Sequence, residues 1–172
     1  MNAMRREAIV NRLHLLLALL ALWLALSSHW VSMLRRVPGD AGFFDYAHIA
    51  LGVLTLLAGS LYGVLVVQGG RWKRYFPLVA GNAAAVGRDL AGLLRGRLPA
   101  AEGGGLFGAI EGLLLLALIG AAASGVVWLL LQGSAAALTW RELHIVLARI
   151  TIAAGVLHVL AVASHLLEFA RD

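Results

Sequence analysis

RELHIVLARITIAAGVLHVLAVASHLLE, residues 141–168, places two histidines inside an apolar run long enough to cross a bilayer. A membrane-spanning helix needs about 20 mostly apolar residues. On such a helix His144 and His158 are 14 residues apart. At 100° per residue they fall within about 40° of one face, about 21 Å apart along the axis. One helix therefore presents an imidazole near each side of the membrane. Ala148, Thr151 and Gly155 lie between them on that face and are all small. A flat macrocycle beside the helix needs such clearance, although small residues also let two helices pack closely.

The rest of the chain fits a membrane setting. Of 172 residues, 61% are hydrophobic and 13% charged, with a mean hydropathy of +0.87. Soluble domains run closer to a quarter charged. Four stretches qualify as spans: 9–31, 45–67, 106–131 and 142–168. Val37-Pro38-Gly39-Asp40, Gln68-Gly69-Gly70 and Gln132-Gly133-Ser134 mark the breaks between them. The expected fold is all-α, an integral membrane four-helix bundle forming a single domain over 1–172. The first span resembles a secretory signal, but its apolar run is long and no small-x-small site follows, so it reads as an uncleaved helix.

Charge position sets the expected orientation. Arg5, Arg6, Arg12, Arg71, Lys73, Arg74, Arg88, Arg95, Arg97 and Arg171 fall on the side of the termini and the 69–105 loop. Only Arg35, Arg36 and Arg141 fall on the other side. The positive-inside rule then puts both termini and the long loop in the cytoplasm of a multi-pass inner-membrane protein. The net charge of +5 follows from this topology and does not call for a nucleic-acid partner. Within the loop, Phe76, Val79, Ala83, Val86, Leu90, Leu93 and Leu94 recur at helical spacing opposite Arg88 and Arg95. That pattern fits an interfacial amphipathic helix, or equally a packed connecting helix. The absence of cysteine excludes disulfides, thiolate zinc sites, cysteine-ligated iron–sulfur clusters and covalently attached haem.

Ionisable side chains inside spans mark functional sites by default, and histidine is a common haem ligand. His14 lies near the cytoplasmic end of the first span, its face continued by Ala18, Ala21, Ala25 and Ser28. His48 lies near the outer end of the second, followed by Gly52, Thr55 and Gly59. Matching by depth pairs His48 with His144 on the outer side and His14 with His158 on the cytoplasmic side. Gly52, Gly59, Thr151 and Gly155 are the expected clearance for two haem b groups. The competing reading makes the histidines polar contacts between helices.

His29 is the rival outer ligand but sits about 60° round from His14, beside Trp30 at an interface. His165 is a candidate contact for a propionate or quinone, or faces the headgroups. Arg149, about 140° from His144 on the wheel, is a candidate propionate or quinone contact or a subunit surface. Glu111 reads as a solvated carboxylate at a helix start, with proton handling near a quinone as the alternative.

The order of these motifs resembles the bacterial cytochrome b561 and hydrogenase/formate-dehydrogenase cytochrome b superfamily. Arg12-Leu13-His14, His48 to Gly52, Ser124-Gly125, and Arg141-Glu142-Leu143-His144 through His158-Val159-Leu160 to His165 carry the resemblance. It implies His14, His48, His144 and His158 as haem iron ligands and quinone as electron acceptor or donor. It also implies electron transfer across the membrane in a respiratory chain. The partner would be a periplasmic oxidoreductase or cytochrome subunit, with homo-oligomerisation open. The chain then reads as an electron-transfer subunit rather than a complete enzyme. A free-standing oxidoreductase passing electrons from superoxide or another small donor to quinone is one alternative. A metal or proton transporter using histidines is another, and a cofactor-free scaffold a third.

Overall fold

A computed structural model describes residues 3–68, 70–99 and 104–169. Six α-helices account for most of it: α1 (Ala3–Ser27), α2 (Phe43–Gln68), α3 (Trp72–Tyr75), α4 (Ala83–Leu93), α5 (Leu106–Leu130) and α6 (Ala136–Phe169). A short 3₁₀ turn, Ser28–Trp30, extends α1. No strand occurs among the described residues. α1, α2, α5 and α6 are each long and apolar enough to cross a membrane.

The expected breaks terminate helices where the backbone demands it. Gly70 (φ 71°) donates its N–H to the carbonyl of Val67 at 3.0 Å and ends α2. Gly133 (φ 84°) turns the chain between α5 and α6, and its N–H reaches the Arg35 carbonyl at 2.9 Å. Left-handed φ values of this kind favour glycine. α6 begins at Ala136, six residues before the expected span, because a helix continues into the interface where hydropathy no longer registers it. Its 34 residues extend about 51 Å, longer than a hydrocarbon core of about 30 Å.

α1 packs on α2, α2 on α5, and α5 most extensively on α6. α6 stands off from α1 and α2. In the distal half that standoff leaves a cavity between α6 and the other spans. On the half nearer the chain ends (the proximal half), Val10, Leu17, Ala58, Tyr62, Leu65, Val66 and Leu115 form a buried core. On the other, distal half, Met33, Trp128 and Ala137 plug the end. Outward, Leu15, Leu19, Leu22, Leu57, Leu61, Leu116, Val159 and Leu160 are all at least half exposed. So large an apolar surface suits lipid and would aggregate in water.

The distal end is stitched across the bundle. The buried Asp45 carboxylate accepts the Ser32 N–H at 2.9 Å, the Ser32 hydroxyl and the Gly42 N–H. Trp128 Nε1 donates to the Leu34 carbonyl at 3.2 Å, and Arg141 Nε to that of Met33 at 3.0 Å. Arg35 Nε donates to the Ser134 carbonyl at 3.0 Å. At the proximal end α4 rests on α5, and the Asp89 carboxylate accepts the Leu106 N–H at 2.7 Å, capping α5 from another helix. α4 nevertheless exposes Leu90, Leu93 and Leu94. The connecting-helix and interfacial readings therefore both describe it.

Candidate functional site

α6 supplies one histidine to each half of the bundle. His144 faces His48 of α2, with ring centroids 6.1 Å apart and planes at 81°. His158 faces His14 of α1, with centroids 6.2 Å apart and planes at 64°. The four spans thus bring the sequence-predicted histidines together in the two expected pairs. Among the described residues no three His, Asp or Glu side chains converge as a metal cage. His29 stays apart. It is exposed and packs edge-on against Trp30 at 5.8 Å.

The distal pair borders a cavity of about 490 Å³. That is within the range of small-molecule and cofactor sites. Ala21, Ala25, Gly52, Gly125 and Ala148 make parts of its wall with little bulk. Thr55 and Thr151 turn their hydroxyls back to the Leu51 and Leu147 carbonyls, at 2.7 and 2.9 Å, so they add no free polar group. Gly52 has open space where a Cβ would stand. The remaining two clearance positions work differently. A Cβ on Gly59 would meet Ile119 at 3.2 Å, and one on Gly155 would meet Leu114 at 3.9 Å. Both lie against α5, so the small-residue stripe is shared between cavity and helix packing.

His144 is held by its second nitrogen. Nδ1 lies 2.7 Å from the Ala121 carbonyl, which also accepts the Ser124 hydroxyl at 2.8 Å. The carbonyl accepts, so Nδ1 carries the proton and Nε2 is left with its lone pair. Gly125 makes it reachable, because a Cβ there would stand 3.2 Å from His144 Nδ1. His48 Nδ1 and His158 Nδ1 are buried and have no hydrogen-bond partner among the described residues. A buried polar atom left unmade costs about 1–3 kcal/mol. Both of these atoms belong to the paired histidines.

The proximal pair sits among rings. Phe107 stacks on His158 at 5.5 Å, Tyr62 lies 6.1 Å from His14, and His165 meets Phe107 edge-on at 6.0 Å. The Tyr62 and Tyr75 hydroxyls are hydrogen-bonded at 3.1 Å. Gly108 and Gly112 let the carbonyls of Arg74 and Tyr75 come against α5, where any Cβ would collide. Glu111 departs from its sequence reading. Its side chain is only 15% exposed, 3.9 Å from Arg74 Nε, and its Oε2 accepts no hydrogen bond among the described residues. The 71–75 segment folds over the start of α5 and shields it from water.

Two arginines line the distal cavity. The sequence offers Arg149 as a candidate contact, whereas it presents Arg141 as a topology charge and as the first residue of the Arg141-to-His144 motif. The signal that would have found Arg141 is its place three residues before His144 on the same helix.

A search of curated proteins and one of solved structures each returned no match. The family model for prokaryotic cytochrome b561 matches residues 5–169. The chain belongs to the prokaryotic cytochrome b561 family, and is a multi-pass bacterial membrane b-type cytochrome that carries haem b and transfers electrons.

Proposed function

We propose that the whole chain forms one di-haem cytochrome b domain that conducts electrons across the inner membrane between a periplasmic redox partner and the quinone pool. His48 and His144 hold the distal haem, and His14 and His158 the proximal one. The observation that carries this reading is the two-and-two pairing of histidines through a shared α6. An imidazole nitrogen ligates a transition metal at about 2 Å. Since the ring centroid lies about 1 Å behind that nitrogen, two imidazoles that held one iron between them would have centroids about 6 Å apart. Both pairs match that separation. The cavity beside His48 and His144 fits the same group.

Bound haem supplies a one-electron iron couple. The chain's residues ligate, orient and keep out water. The Ala121 carbonyl fixes the His144 tautomer, the threonines present methyl groups, and the stitched 31–42 loop closes the distal end. With both histidines of a pair engaged, the group they would hold would relay electrons and not bind a substrate at its metal. His144 and His158 stand about 21 Å apart along α6, enough to carry charge between the two halves of a bilayer.

The positive-inside count orients the proximal half towards the cytoplasm. Quinone chemistry belongs there, because quinone reduction takes up protons with its electrons. The proximal half holds Glu111 beside Arg74, the Tyr62–Tyr75 hydroxyl pair and His165 next to Phe107. In sealed vesicles with the protein oriented, a quinol in the bilayer reduces the haems and a membrane-impermeant oxidant on the distal side reoxidises them. Reoxidation only by oxidant on the proximal side overturns the transmembrane route.

A further inference from the structure

We infer that Arg141 and Arg149 form the carboxylate-binding edge of the distal cavity, each pairing with one propionate of the haem held by His48 and His144. This rests on the haem reading above. Both arginines line the cavity, and they are its two cationic side chains among the described residues. They also approach it from one flank. Counting from His144, Arg141 lies about 60° and Arg149 about 140° round α6 in the same rotational sense. Along the axis they sit about 4.5 Å and 7.5 Å to either side of His144. Arg141 is already oriented, its Nε spent on the Met33 carbonyl at 3.0 Å, which leaves its terminal nitrogens to donate.

Arg149 is the stronger evidence. It stands between His144 and His158 in an apolar helix, with no hydrogen bond or ion pair to a described residue. An unpaired arginine this deep in a span is costly. A haem b carries two carboxylates, which are equally costly in that setting. Two arginines on one edge answer two carboxylates, and the planar guanidinium matches a carboxylate in bidentate geometry. This placement also accounts for an arginine far round the wheel from the ligand: it addresses the rim of the macrocycle and not its metal.

The test uses full-length chain depleted of haem in detergent and titrated with ferric protohaem or its dimethyl ester, in which both carboxylates are blocked. Wild type is expected to bind the free acid at the distal site at least about tenfold more tightly than the ester, as for lost outer-shell partners. Arg141→Gln/Arg149→Gln is expected to bind the two alike, and Arg141→Lys/Arg149→Lys to keep part of the preference. Helical circular dichroism and the proximal haem's absorbance report whether each variant is folded. Undiminished preference in the folded Gln variant overturns the assignment. Equal binding of acid and ester by wild type overturns it too, and gives the arginines to another anion such as a lipid phosphate. If wild type takes up no haem at all, the underlying haem reading fails instead.

Discussion

The distal and proximal histidine pairs have almost the same ring separation, 6.1 and 6.2 Å, but very different surroundings. The distal pair opens on a cavity with small apolar walls and two arginines, beneath a loop tied down by Asp45, Trp128 and Arg141. The proximal pair is crowded by Tyr62 and Phe107, with Glu111, Tyr75 and His165 close by. The different linings come partly from α5, which offers Ala121, Ser124 and Gly125 at one end and Phe107 and Glu111 at the other, and partly from Arg141 and Arg149 of α6, Tyr62 of α2 and Tyr75 of α3. α6 carries one histidine of each pair, and its neighbours set the surroundings of each.

The largest effect that separates the halves is loss of a ligand. His144→Ala is expected to remove the distal haem and leave the proximal one. His158→Ala is expected to do the reverse, each variant keeping one haem per chain by pyridine haemochrome. Retention of both haems in either variant breaks the pairing. A smaller effect acts only on the distal half. Gly125→Val presses on the His144 ring where it meets Ala121, and outer-shell changes of this kind weaken metal binding about tenfold or more. Haem titration should show distal affinity falling while proximal affinity holds; an equal loss at both would mean a general packing defect.

On the proximal side, Tyr62→Phe removes the hydroxyl pair with Tyr75 and is expected to cost about 1 kcal/mol in detergent unfolding. The haem count should stay at two. The smallest effect belongs to His29→Ala, which should leave both haems and their spectra unchanged because His29 is exposed and outside the cavity wall. Loss of the distal haem in that variant would transfer a ligand role from His48 to His29.

Much of this contrast was legible in the sequence, within a definite limit. Hydropathy located the four spans, glycine located their ends, and the helical wheel with span depth put His14 with His158 and His48 with His144. A wheel gives rotation about one axis and says nothing of which helix stands opposite. Gly59 and Gly155 therefore looked the same as Gly52, although they admit Ile119 and Leu114 of α5. Glu111 looked solvated because the fold of 71–75 over α5 is invisible in a local pattern. Arg141 looked like a topology charge, and only the position of α6 against the 31–42 loop turns it to the cavity. Gly125 was noticed as half of a small-residue step, but its reason, the ring of His144 against it, is a tertiary fact.

The most direct test of two haems in two histidine pairs is haem b per chain in the purified wild-type protein, with its low-temperature electron paramagnetic resonance spectrum. The account predicts two haems per chain, both low-spin and six-coordinate with two imidazoles. A single haem, or a high-spin five-coordinate signal from either site, would contradict it.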